Sequence, residues 1–166
     1  MSSSAIIDIQ GYLGLNNQFI PREIAVFYSS NHIQHMFLKS SSSVVVSEDL
    51  QWQSNWVYNN YRRFKWNGGC ILQYKAINML LNNLKEVNKV YVKGLIKRKW
   101  INNLLTGDCG AIDGIQVINL EENYAIPNIH ELKKKYPGEL RCNSHNGACA
   151  LQNVQLLNKI KSNFSF

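Results

Sequence analysis

Ala5-Ile6-Ile7-Asp8-Ile9-Gln10-Gly11 opens the patterned part of the chain, and the fold class turns on this run and the strands it begins. It is an apolar run ending in Asp8-Ile9-Gln10 and stopped by Gly11, which reads as a first buried strand. Ile20 to Tyr28 and Ile33 to Leu38 read as two more strands, joined by the turn Ser29-Ser30-Asn31. Three neighbouring strands so early in the chain predict an antiparallel meander. Ser47, followed by Glu48 and Asp49, is a good N-cap with acids in the first turn, and predicts a helix to about Arg63.

Beyond the breaker Trp66-Asn67-Gly68-Gly69 the pattern alternates. A helix is expected over Ile71 to Leu84, a strand over Lys89 to Lys93, and a helix from about Lys97 to Leu105. Ile115 to Leu120 reads as a strand, Ile129 to Tyr136 as a short helix, and Cys149 to Ile160 as the closing helix. That last helix carries Leu151, Val154, Leu157 and Ile160 on one face. Three strands followed by alternating helices and strands predict an α/β fold, a mixed sheet with antiparallel N-terminal strands and flanking helices. An RNase H-like fold has this order, and other α/β folds share it. With no internal repeat and no long linker, the 166 residues are expected to form one domain, 1–166.

Composition narrows the partners. Apolar residues make up 45%, enough to bury a core without disulfides. A net charge of +7 favours acidic partners, nucleic acid first and an anionic membrane surface second. No stretch approaches the roughly 18 to 20 apolar residues of a membrane helix. Met1 to Ala5 lacks the basic and apolar regions of a secretory signal, so a cytoplasmic or nuclear, non-secreted chain is expected. Four cysteines, two of them clustered with a histidine, then point to metal rather than disulfides.

The cluster is Cys142-Asn143-Ser144-His145-Asn146-Gly147-Ala148-Cys149. A Cys-x2-His pair in a loop lets thiolate and imidazole reach one ion, and a third ligand at a helix start completes a compact chelate. Sulfur and nitrogen donors in a tetrahedral set are the usual structural zinc site. A fourth ligand must come from elsewhere, and Glu23, His130, Cys109 and Cys70 are candidates. A fourth position left to water would make the site catalytic instead.

The string Arg141-Cys142-Asn143-Ser144-His145, followed by Cys149-Ala150-Leu151, resembles the end of the Maelstrom domain. The resemblance implies an RNase H-like fold related to DEDDh exonucleases, with a Glu-Cys-His-Cys zinc site in place of an active centre. It also selects Glu23, in Pro21-Arg22-Glu23-Ile24-Ala25-Val26-Phe27-Tyr28, as the fourth ligand, with His130 in reserve. The likeness is to a divergent member: the spacing from His145 to Cys149 is shorter, and no high-mobility-group box accompanies it. It implies RNA, single-stranded or structured, as partner, and a role in small-RNA silencing (piRNA pathways included) or in viral interference with it. A silencing-pathway protein is a further expected partner.

A DEDD nuclease needs four carboxylates around two divalent ions. Here the first strand has Asp8 but Gln10 where the second acid belongs. After the strand Lys89 to Lys93, cations stand where an acid is required, and the closing helix offers Gln152 and Asn153. One carboxylate cannot hold two magnesium ions, so the centre reads as degenerate, with no catalytic residue assigned. Asp108 and Asp113, beside glycines, read as turn formers. The family is linked to metal-independent cleavage of single-stranded RNA, for which no residue stands out as the base. Lys93, Lys97, Arg98 and Lys99, with Arg62, Arg63 and Lys65 among aromatics, form the expected RNA surface. Trp100 reads as core. The rival readings are an active metal-dependent nuclease using Asp8 and a protein-interaction module on a nuclease-derived fold.

Overall fold

Ser4–Leu13 (β1) and Phe19–Tyr28 (β2) are long strands paired antiparallel, and β2 pairs in turn with Ile33–Phe37 (β3). The computed structural model describes residues 3–13, 18–39, 69–107, 112–142 and 148–166. The helix expected between Ser47 and Arg63 lies outside them, as do Arg62, Arg63, Lys65, Asp108, Cys109 and His145. The remaining elements are Gln73–Leu84 (α1), Lys89–Val92 (β4), Leu95–Thr106 (α2), Gln116–Asn119 (β5), Leu120–Asn123 (α3), Ile129–Lys135 (α4) and Ala150–Phe164 (α5). β4 and β5 add to β1 in parallel, so the five-stranded sheet runs β3-β2-β1-β4-β5.

The strands carry β-branched residues in alternation with a second apolar set, because both faces of this sheet are covered. Ile7, Ile9, Ile24, Val26, Val90 and Val92 face a core with Ala76, Leu80 and Leu84 of α1 and Ile101 of α2. Ile6, Ala25 and Tyr91 point the other way, to Leu132 of α4 and to Ala150, Val154, Leu157 and Ile160 of α5. Each fully buried aliphatic side chain of this kind contributes roughly 1.5–3 kcal/mol. Trp100 is half-buried and packs against the first core.

Glycine matters at two places. The register of β1 on β2 shifts between Gln10 and Gly11, and a Cβ on Gly11 would meet the Ile20 carbonyl oxygen at 2.0 Å. Only a residue without a side chain lets β2 approach there. Gly94, with φ of 119°, turns the chain out of β4 and straight into α2, a conformation that strains any other residue.

Several element boundaries differ from those expected: β1 is not stopped by Gly11 but continues past a register shift there to Leu13, and α2 starts at Leu95, two residues before the expected Lys97. The strand expected to run to Leu120 ends at Asn119, whose side chain accepts from the Glu121 N–H and opens α3. With acids at Glu121 and Glu122 in the first turn, the cap wins over strand propensity. The closing helix runs on to Phe164 and ends at Ser165 in the left-handed region, with φ of 57°. Phe166 then folds back onto Tyr91 and Tyr124, with ring centroids 5.2 and 5.3 Å apart.

Candidate metal centre

Glu23 sits in the middle of β2 on the face covered by α5, fully buried. Among the described residues, donors from three segments meet its carboxylate. The Ala150 backbone N–H, in the first turn of α5, donates to Oε2 at 3.1 Å. Cys142 Sγ lies 3.9 Å and Cys149 Sγ 3.8 Å from Oε1, and the two sulfurs are 3.6 Å apart. His35 Nε2 lies 2.8 Å from Oε1 and, facing a carboxylate, donates its hydrogen. Thus the sequence-expected Glu23, Cys142 and Cys149 come together although the first is over a hundred residues from the others.

Cys149 is the N-cap residue of α5, but its side chain makes no capping bond. Its sulfur is turned toward Glu23 and Cys142 instead. That is how a helix start delivers both a thiol and a backbone N–H to one carboxylate. Cys142 lies just past the turn that ends the α4 region and is half-buried.

The spacings can be set against the edges of a tetrahedral site. With metal–sulfur and metal–oxygen lengths usual for zinc, sulfur–sulfur edges are about 3.8 Å and sulfur–oxygen edges about 3.5 Å. The observed 3.6, 3.8 and 3.9 Å match these within a few tenths of an ångström. Two soft sulfurs and one carboxylate oxygen therefore fit a zinc ion as three of its ligands. His35 fits differently. A nitrogen–oxygen edge between two ligands would be about 3.3 Å, and 2.8 Å is a hydrogen-bond length. By distance His35 orients the Glu23 carboxylate from outside the ligand set, although Glu23, His35 and Cys142 also group closely enough to hold an ion. The fourth sequence-expected ligand, His145, is outside the described residues. A bound ion there would be structural: it would tie β2 to the start of α5 and to the segment before it.

Other candidate ligands stand apart. His130 is exposed on α4. Cys70 is exposed, with its sulfur 3.8 Å from the Phe37 carbonyl oxygen. His35 was not among the sequence-expected ligands, although a signal for it existed. The turn after Tyr28 sets the β2–β3 register with Ala25 opposite His35, one pleat from Glu23 opposite Phe37. That diagonal is within reach of long side chains on one face.

One strand away lies a second polar centre. Gln10 is the cross-strand partner of Glu23, and Asp8, two residues earlier, shares its face. Asp8 is buried and accepts from Gln10 Nε2 at 2.7 Å and from Asn153 Nδ2 at 2.8 Å, while Lys97 closes an ion pair on its other oxygen. Lys97 was expected on an RNA surface; its ammonium is on Asp8 instead. Lys93 and Arg98, from the same surface, pair with Glu121 at 2.6 Å and with Glu122. Lys99 is exposed beside Trp100. Asp113 is exposed in a turn with Gly114, as its neighbours implied.

Lys133 on α4 lies within electrostatic reach of both centres. Burial, then the Arg141 guanidinium, push its ammonium below the ordinary lysine range, and Cys149 and Asp8 pull the other way. No protein-family model matches the chain, and no curated protein is similar to it.

Proposed function

We propose that the chain is an RNase H-like, Maelstrom-type domain closed by a structural zinc ion through Glu23, Cys142, His145 and Cys149. In this reading it binds single-stranded or structured RNA without two-metal catalysis, in small-RNA silencing or in viral interference with it, in the cytoplasm or nucleus. The observation that carries the reading is the meeting of Glu23 with Cys142 and Cys149 at 3.6 to 3.9 Å. Two others support it. The strand order β3-β2-β1-β4-β5, antiparallel then parallel, is the one an RNase H-like fold needs. Asp8 is ringed by two amides and a lysine, where a nuclease would have acids and metal.

With Lys93, Lys97 and Arg98 engaged by acids, exposed Lys99 and, on α4, Lys134 and Lys135 are among the cations left for phosphate contact, and the expected Arg62, Arg63 and Lys65 lie outside the described residues. Three such contacts imply a slope of about −2 in log affinity against log salt for single strands. Labelled single- and double-stranded RNA, titrated with and without magnesium, tests this. The expected result is salt-sensitive binding with no magnesium-stimulated cleavage. Magnesium-dependent cleavage lost on Asp8→Ala would overturn it in favour of a nuclease.

The protein-docking alternative has one observation in its favour. A groove of about 630 Å³ beside α2 is lined by Leu13, Phe19, Ile77, Ile96, Trp100 and Leu104 among others. Zinc-loaded protein that binds no RNA would favour that reading.

A further inference from the structure

Lys97 reaches Asp8 through three local features. Ile7 pairs with Val92, the last residue of β4, so Asp8 lies just past the end of that strand. Gly94 turns the chain at that point and starts α2 over the same edge. Lys97 is in the first turn of α2, with a stem long enough to carry its ammonium back to the carboxylate. The Asp8 side chain is 2% exposed and that of Lys97 21%, so the pair closes the centre like a plug with its outer end in solvent.

The groups around Asp8 are hard oxygen and amide donors, quite unlike the sulfurs around Glu23. A carboxylate flanked by two carboxamides is a donor set suited to magnesium or manganese. Gln10 and Asn153 turn their NH2 groups to Asp8, as a carboxylate that only accepts requires. The Asn153 Oδ1 is buried with no hydrogen-bond partner among the described residues. Rotating that amide by half a turn would present the oxygen to a cation in exchange for the Nδ2 bond to Asp8.

We propose that the Asp8 centre is a divalent-cation site closed from within, in which the Lys97 ammonium takes the place of the ion on the carboxylate. While Lys97 is present, the centre refuses magnesium and manganese. Removing its charge reopens the site. Lys133, also within reach of Asp8, remains in any Lys97 variant and limits how tight the regained site can be. The inference requires neither RNA nor zinc, so its fate is separate from that of the RNA-binding reading.

Manganese titration of the full-length protein, followed by electron paramagnetic resonance, tests it. Wild-type binding should be the same with and without Asp8→Asn. Lys97→Met should bind manganese at least about tenfold more tightly than wild type, and Asp8→Asn in that background should abolish the gain. Folded Lys97→Met with no gain would overturn the proposal, as would wild-type binding that already depends on Asp8. If Lys97→Met does not fold alone, manganese should restore its fold through Asp8 and should leave the melting of the Asp8→Asn/Lys97→Met double variant unchanged. A Lys97→Met chain that manganese does not rescue, or a double variant stabilised equally by it, would overturn the proposal.

Discussion

Glu23 and Asp8 are carboxylates on adjacent strands, both shut away on the α5 side of the sheet, and the chain surrounds them with opposite chemistry. Around Asp8 it gathers a lysine and two amides, a set that neutralises the charge with the protein's own cation. Around Glu23 it gathers two thiols that suit a zinc ion, with an imidazole and the N–H at a helix start holding the carboxylate in place. Burying a carboxylate without compensation costs several kcal/mol, so each centre needs its partners. The comparison teaches that a buried acid is read by what surrounds it. On the reading proposed above, an ammonium with two amides marks a centre closed from within, and two sulfurs beside a carboxylate mark one suited to an ion.

Breaking the two centres should therefore have different consequences. The largest effect is expected at Glu23. Cys142→Ser or Cys149→Ser should remove zinc and most of the folding stability, because metal-binding energy is folding energy where ligands come from distant segments. Thermal melts with and without a chelator check this; an unchanged melting temperature would count against it. At Asp8, Lys97→Met strands a buried carboxylate and should cost about 3 kcal/mol in urea denaturation. Asp8→Asn in the same chain should recover most of that loss.

His35→Ala sharpens the distinction between a ligand and a group that orients one. As an orienting residue it should lower zinc affinity by about 10–100-fold while leaving the stoichiometry at one. Loss of zinc altogether would make His35 a ligand. The smallest effect comes from outside both centres. Tyr28, at the end of β2, donates to Gln34 Oε1 at 2.9 Å, and burial pushes its pKa from 10.0 up to about 12 despite the Asn83 side chain. The unfolded chain loses this proton near pH 10 and the folded chain keeps it to about 12. The stability it contributes is present below pH 10 and is lost as pH rises from there through 12. Urea midpoints measured across that window should fall gently, without release of zinc.

Much of this was legible before the structure. The strands at Ile20 to Tyr28 and Ile33 to Leu38 and the helix ending at Leu84 stand within a residue or two of the elements observed, because apolar alternation and helical spacing are strong local signals. Glu23 was singled out only through resemblance: nothing in its own neighbourhood separates it from three other candidate ligands. His35 went unread because its role depends on strand register, which appears only when the hairpin turn is fixed. The inward pairing of Lys97 went unread for a related reason. A lysine among Lys93, Arg98 and Lys99 looks like a basic surface, and its length lets it reach inward to an acid 89 residues earlier. Gln152 and Asn153 read only as amides where a nuclease helix would carry an acid, and nothing in the local pattern shows that both are buried. Long-range polar pairing leaves little trace in local pattern, and both centres are built from it.

The central claim is that the Glu23 centre takes an ion and the Asp8 centre does not. Elemental analysis of purified protein in magnesium-containing buffer, dialysed free of unbound metal, tests it most directly. One zinc per chain and no magnesium, with the zinc lost in Cys149→Ser and retained in Asp8→Asn, is the expected result. Fully folded protein without zinc, or zinc that survives Cys149→Ser and leaves with Asp8→Asn, would contradict it.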